Sequence, residues 1–204
     1  MGQTFSPPSR RVRAAFLDRD GVLVEILRDA ERGVLYTAFH PDQMLPTKGA
    51  VDAVRRLRTL GYECIVVTNQ PGPAKGQFPL SQIARMNARL REMFELDAIY
   101  VCPHHPEGGS GGDPALVRAC DCRKPGPGMI LQAARERGIE LAASVMIGDS
   151  ADDMHAAAAA SVRSVLINGG RCELCPNRTG PRIPADAAVQ SLSDAVDWVA
   201  AQER

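Results

Sequence analysis

The chain has 204 residues, with 24 Lys and Arg against 24 Asp and Glu. That balance gives no basic field for nucleic acid and no acidic tail for a basic partner. No apolar run reaches the ~20 residues of a membrane-spanning helix, and a chain this long can bury a core without a disulfide scaffold for its six cysteines. A cytosolic, soluble protein is expected, with a small molecule rather than nucleic acid or membrane as its partner. With no obvious exposed apolar stripe, a monomer is the default.

Residues 1–11, through Ser6-Pro7-Pro8-Ser9, are polar and Pro-rich, which predicts a disordered tail rather than a signal peptide. Residues 12–204 are expected to form one domain. Val12 to Leu17 is a short apolar run that stops at Asp18, as a buried parallel strand would. Val51, Val54, Leu57 and Leu60 recur at helical spacing over 49–60, and Gly61 ends that helix. Glu63 to Val67 is the next strand, followed by Thr68-Asn69-Gln70, a Gly/Pro-rich loop over 71–79 and a helix over 80–94. Ala98 to Val101 is a third strand that runs into Cys102. Pro127 sits well in the first turn of a helix reaching Arg137, with Gly138 as its stop. Ser144 to Ile147 is a strand ending at Gly148-Asp149-Ser150, then come a helix over 151–160 and a strand over 164–167. An edge strand near 187–189 and a helix over 193–202 complete the chain. Strand–helix alternation predicts an α/β fold of three layers, a doubly wound parallel sheet with helices on both faces.

In such sheets the ligand crevice lies beyond the carboxyl ends of the strands. Asp18, Thr68, Cys102 and Asp149 each follow the last apolar residue of a different strand, so four polar motifs converge on one edge. Asp18-x-Asp20-Gly21 offers one carboxylate to attack phosphorus and a second to give and take a proton; read alone, it is equally an acidic turn. Thr68-Asn69-Gln70 supplies a hydroxyl and amides for phosphate oxygens, or a turn cap. Asp149 is placed for a hard cation such as Mg²⁺, whereas Asp152 and Asp153 can be acids of a helix first turn. Arg123 and Lys124 are cations suited to a transferring phosphoryl group.

Cys102-Pro103-His104 and Cys120-Asp121-Cys122 are C-x-H and C-x-C pairs, the ligand set of a closed tetrahedral zinc site. Residues i and i+2 of an extended segment project to one side, so each pair points together and His105 points away. Four protein ligands make the metal structural, closing the Gly-rich loop 106–114 within the zinc loop 102–122 and fixing Arg123 and Lys124 over the site. Cys64 is expected as a small core residue, and Cys172 and Cys175 as loop thiols.

Taken together, Asp18-x-Asp20-Gly21, Thr68-Asn69, Lys124 and Gly148-Asp149-x-x-x-Asp153 resemble, in order, the four motifs of the haloacid dehalogenase-like phosphatases. Within them the chain is similar to the D-glycero-D-manno-heptose 1,7-bisphosphate 7-phosphatases over roughly residues 12–200. The likeness is strongest in Thr68-Asn69-Gln70-x-Gly72, Cys102-Pro103-His104-His105-Pro106 and Cys120 to Met129. The resemblance implies a phosphatase without a large cap domain, serving nucleotide-heptose and lipopolysaccharide precursor synthesis. Asp18 would be the nucleophile and Asp20 the acid–base. Mg²⁺ would be held by Asp18, the Asp20 carbonyl and Asp149. Thr68 and Lys124 would bind the phosphoryl group, with Asn69, Gln70 and Arg123 lining the substrate and Asp153 supporting Lys124 or the metal shell. The loops over 70–79 and 102–122 would enclose a small sugar phosphate. The stretch Gln70-Pro71-Gly72-Pro73-Ala74-Lys75-Gly76 departs from the family's usual small residue after the glutamine and arginine before the later glycine. Histidinol phosphate or another small sugar phosphate is the alternative substrate, and a catalytically inactive zinc-stabilised module the alternative of a different class.

Overall fold

A computed structural model of the chain describes residues 12–31, 33–167 and 184–203. Six strands form one sheet: β1 (Arg13–Leu17), β4 (Tyr62–Asn69), β5 (Ala98–Cys102), β6 (Val145–Gly148), β7 (Arg163–Ile167) and β8 (Ala187–Val189). Two short strands, β2 (Leu27–Asp29) and β3 (Val34–Tyr36), pair with each other. The helices are α1 (Ala50–Thr59), α2 (Ser81–Met93), α3 (Gly128–Arg137), α4 (Ala151–Ala159) and α5 (Leu192–Ala201). Sheet order is β5-β4-β1-β6-β7-β8, and every neighbouring pair is parallel. The chain builds outward from β1 through β4 to β5, then crosses back to place β6 on the other side of β1. The strand order therefore reverses between β1 and β6, where a doubly wound sheet opens its ligand crevice.

The period-2 alternation of β1 divides the core between the two sheet faces. Ala15 and Leu17 join Cys64, Val66, Val54, Leu57, Met86, Leu90 and Val196, burying α1, α2 and α5 on one face. Ala14 and Phe16 join Ile65, Val67, Met146, Met129, Ala133, Met154 and Ala157, burying α3 and α4 on the other. Both faces are covered, which is why β1 and β4 read as near-continuous apolar runs. Cys64 packs as an inert core residue, its thiol pushed up to about 12 by burial.

Helix ends follow their local signals. Gly138 closes α3 in the left-handed conformation (φ 66°), and Ser150 and Ser191 cap α4 and α5 through their side chains. Pro127 stands one residue before α3 rather than in its first turn. The β2–β3 hairpin escapes the sequence pattern because each strand is only three residues long, set among charged neighbours. It leaves Val34 and Leu35 exposed and is tied down through Tyr36, Phe39 and Phe78, whose rings lie 6.0 and 5.7 Å apart in turn. Among the described residues, this hairpin and a single 3₁₀ turn are the only regular structure between β1 and α1, and no large cap stands there.

Phe16 is fully buried at the centre of the α3–α4 face. Phe16→Ala is expected to lower stability by about 3–5 kcal/mol, read from the urea unfolding midpoint. A loss under about 1 kcal/mol would contradict a close-packed centre.

Candidate active site

The site grows from the β1–β6 reversal. The Asp18 amide donates to the Ile147 carbonyl (3.1 Å), so the backbone leaving β1 is pinned to β6 and delivers Asp18 beside Gly148 and Asp149. Lys124 enters from the far side of the cysteine loop. Its Nζ lies 2.9 Å from Asp18 Oδ1 and 2.5 Å from Asp153 Oδ1, and donates to the Val67 carbonyl (2.9 Å). Burial disfavours the ammonium, but Asp18 and Asp153 overcome it and hold its pKa above the ordinary lysine value. Burial likewise pushes Asp18 up to about 6, against the pull of Lys124. The Asp18 Oδ1 atom is buried, and its contact with Lys124 is an ion pair out of hydrogen-bond alignment, which leaves acceptor capacity unmet.

Asp153 does more than cap a helix. Its Oδ2 accepts from the Asp149 amide (3.2 Å), the Ser150 amide (3.0 Å) and the Ser150 hydroxyl (2.5 Å), while Oδ1 faces Lys124. It thus fixes the turn after β6 and the lysine with one carboxylate. Gly148 makes room for this: a Cβ there would lie 2.6 Å from Asp153 Oδ2. Asp152, one residue earlier, is exposed and is simply an acid in the first turn of α4.

Asn69 spends both polar atoms on the Lys124 backbone, Oδ1 accepting from its amide and Nδ2 donating to its carbonyl, both at 3.0 Å. Its observed work is to position Lys124. Gln70 Nε2 donates to Thr68 Oγ1 and to Asp20 Oδ2, each at 2.9 Å, so the Thr68 hydroxyl keeps its own proton to donate. Arg123 is half-buried, and its Nη1 donates to the His104 carbonyl (3.4 Å) on the cysteine-loop side of Lys124. Arg19 has no part in the Asp18-x-Asp20 pattern, yet it belongs to the site. Its guanidinium is buried and donates to Asp20 Oδ1 from Nε (3.0 Å) and Nη2 (2.8 Å). The one available signal was an arginine between two acids directly after an apolar strand.

Two clusters of donors could hold metal. Asp18, Asp149 and Asp153 bring carboxylate oxygens within 4.8 Å of one another, a hard-oxygen set of the kind that suits Mg²⁺. Cys102, His104, Cys120 and Cys122 do the same with three sulfurs and an imidazole. The sulfur separations are 3.2 Å (Cys102–Cys122), 3.3 Å (Cys120–Cys122) and 3.5 Å (Cys102–Cys120). His104 Nδ1 is 3.3 Å from the Cys122 sulfur and 3.7 Å from that of Cys102. A disulfide needs about 2.05 Å, whereas a tetrahedron of ~2.3 Å metal–sulfur bonds has edges of about 3.7 Å. The four donors therefore fit round one ion. His105 stays outside this cluster, its Nδ1 accepting from the Glu107 amide (3.0 Å). Arg118 Nη2 lies 2.8 Å from His104 Nε2. As Arg has no acceptor, that contact needs Nε2 unprotonated; a metal on Nδ1 would move the ring proton to Nε2 and release Arg118. Cys172 and Cys175 lie outside the described residues, as does the tail over 1–11.

The loop between the two cysteine pairs leans on the 71–76 loop. The Gly109 amide donates to Ala74 O (3.2 Å) and the Asp113 amide to Pro73 O (2.9 Å). A Cβ on Gly112 would overlap the Ala74 carbonyl, so the two backbones meet without side chains between them.

Paired aspartates at the switch point, a buried lysine between carboxylates and a third strand-end acid define a phosphoryl-group hydrolase on a haloacid dehalogenase-like fold. Similarity bears this out. A family model described as HAD-hydrolase-like matches residues 121–195, the segment that carries Lys124, Asp149 and Asp153. The D-glycero-beta-D-manno-heptose-1,7-bisphosphate 7-phosphatase of Salmonella typhi is 36% identical over 94% of this chain and 91% of its own. The enzyme of that name from Yersinia pestis is 38% identical over 91% and 94%. The crystal structure of the B. bronchiseptica D,D-heptose 1,7-bisphosphate phosphatase complexed with magnesium and phosphate superposes with a TM-score of 0.74. It is 27% identical, over 95% of this chain and all of that one. The chain belongs to the HAD-like phosphatases and, among them, to the D-glycero-beta-D-manno-heptose-1,7-bisphosphate 7-phosphatase family.

Asp153→Asn removes one of the two charges that hold Lys124 in the interior. It is expected to destabilise the fold by about 3 kcal/mol, read by urea denaturation. A change under about 0.5 kcal/mol would mean that Asp18 alone suffices.

Proposed function

We propose that this chain hydrolyses the 7-phosphate of D-glycero-β-D-manno-heptose 1,7-bisphosphate. The observation that carries the reading is similarity to the enzymes of that name along nearly the whole chain, together with the Asp18–Lys124–Asp153 arrangement at the strand ends. In this reading residues 12–204 act as one domain, a cytosolic monomer in nucleotide-heptose supply for lipopolysaccharide. Among the described residues no helix is long and apolar enough to cross a membrane.

Asp18 attacks the phosphorus of the 7-phosphate as the bond from phosphorus to O7 breaks, and Asp20 gives its proton to O7 as the sugar leaves. The product of this half-reaction is an aspartyl-phosphate. Asp20, now a carboxylate, takes a proton from water, whose oxygen attacks phosphorus and frees inorganic phosphate and Asp18. A pKa of about 6 leaves Asp18 ionised at neutral pH. Lys124 and Thr68 hold phosphoryl oxygens, Asn69 keeps Lys124 in place, and Gln70 and Arg123 line the approach of the sugar. Asp18 and Asp149, with the Asp20 carbonyl, would hold Mg²⁺, which when bound supplies positive charge against the phosphoryl oxygens. Cys102, His104, Cys120 and Cys122 would hold a structural Zn²⁺, the softer ion that thiolates favour.

Phosphate release should be assayed with Mg²⁺ on both anomers of heptose 1,7-bisphosphate, fructose 1,6-bisphosphate and histidinol phosphate. A kcat/KM preference for the β anomer of about 100-fold is expected, about 2.7 kcal/mol of transition-state discrimination. Asp18→Asn should lose about 10³-fold or more. Equal, slow rates across the panel would reject the sugar assignment, and an active Asp18→Asn enzyme would reject the nucleophile.

The two metals should separate cleanly. Purified protein is expected to carry about one zinc per chain, and stripping it to lower the thermal midpoint by about 5 °C or more. Removing Mg²⁺ should abolish turnover with the midpoint nearly unchanged. Active protein without zinc would remove the structural role assigned to the cysteine cluster.

A further inference from the structure

A buried guanidinium is an expensive thing to place in a core, and Arg19 is the largest fully buried side chain among the described residues. It leaves the end of β1 on the α2 face. Its Nη1 lies 3.6 Å from the Met86 sulfur of α2, and its Nη2 donates weakly to the Ala38 carbonyl (3.4 Å). Among the described residues its one ion-pair partner is Asp20. Both near donors, Nε and Nη2, converge on the same oxygen, Asp20 Oδ1, at 3.0 and 2.8 Å. The other oxygen, Oδ2, takes the Gln70 amide at 2.9 Å, and that amide is itself anchored on Thr68. The Asp20 carboxylate is thus gripped at each oxygen by a different element, Oδ1 from the α2 side and Oδ2 from the end of β4.

We propose that Arg19 is a positioning residue for the acid–base carboxylate. It fixes the rotamer of Asp20 so that the proton-bearing edge is the Oδ2 edge, and Gln70 completes the grip. The chemistry follows from the donor inventory. A guanidinium has no acceptor, so Oδ1 cannot carry a proton towards Arg19. A carboxamide can turn to present either its NH₂ or its oxygen, so Oδ2 can be bonded by Gln70 whether protonated or not. Arg19 therefore assigns the two oxygens different work: Oδ1 is the fixed point and Oδ2 the exchanging one. Lysine cannot take over, because a point charge on a longer flexible stem lacks the two-donor fork. The inference rests on Asp20 being the acid–base of the proposed reaction.

The test compares wild type, Arg19→Met, Arg19→Lys, Gln70→Leu and Asp20→Asn on the sugar bisphosphate and on p-nitrophenyl phosphate. Nitrophenolate departs without needing a proton, so the first half-reaction on that substrate does not depend on a placed acid, whereas water attack on the aspartyl-phosphate still needs the base. Arg19→Met is expected to lower kcat on the sugar bisphosphate by about 10²-fold or more, with KM within about threefold. On p-nitrophenyl phosphate it should release a rapid burst of about one nitrophenolate per active site, followed by a slow steady state. Arg19→Lys and Gln70→Leu should show the same pattern more weakly. If Arg19→Met does not fold, judged by its thermal midpoint, the burst in Arg19→Lys and Gln70→Leu decides. A folded Arg19 variant with unchanged kcat, or one that loses burst and steady state in equal measure, overturns the positioning role. Full turnover by Asp20→Asn would overturn the acid–base reading, and the role of Arg19 with it. An inactive Asp20→Asn beside an unimpaired Arg19→Met overturns the positioning role alone.

Discussion

Lys124 has almost no contact with solvent, and its charge persists because two carboxylates from different parts of the chain stand against it. An ammonium has three protons: one goes to Asp153 Oδ1 of α4 and one to the Val67 carbonyl of β4, while Asp18, just after β1, faces it as an ion pair out of hydrogen-bond alignment. One atom therefore draws together the central strand, its neighbours on both sides and the end of the cysteine loop. The arrangement is held from behind as well. Asn69 grips the lysine backbone at both polar atoms, and Gly148 leaves the space that Asp153 occupies. A phosphoryl oxygen arriving beside Asp18 would find the third lysine proton without an aligned acceptor, so neither carboxylate need give up its partner charge.

The strand-end aspartates were readable from sequence because a parallel strand announces itself as an apolar run and ends where polarity returns. The spacing of Cys102, His104, Cys120 and Cys122 was readable for a similar reason: alternation along an extended segment puts i and i+2 on one side. Arg19 was not, since nothing local distinguishes an arginine that snorkels to solvent from one that turns inward to meet Met86 and Ala38, residues 67 and 19 positions away. Asn69 looked like a phosphate ligand by residue type, and only the approach of Lys124, 55 residues later, commits both its polar atoms. The β2–β3 hairpin fails for another reason. Three residues per strand is less than the period needed to reveal alternation, and its exposed Val34 and Leu35 carry the wrong polarity for a surface ribbon.

In the proposed reaction, chemistry and selectivity are carried by different kinds of structure. Asp18, Thr68, Asp149 and Lys124 sit at strand ends or are pinned to them, where close packing on both sheet faces allows little drift. The substrate side of that proposed reaction is made of loops, over 71–76 and 106–114, and among the described residues no large cap supports them. They support each other instead, backbone against backbone, through Gly109 and Asp113 on Ala74 and Pro73. That contact tolerates no side chain at Gly112, so the two backbones stay in direct contact. Because Cys102, His104, Cys120 and Cys122 stand at the two ends of the second loop, an ion held by them would also stiffen its contact with the first. In the proposed reaction, a change such as Lys75 within the 71–76 loop would then alter which sugar is accepted without disturbing the aspartates and lysine assigned to its phosphate.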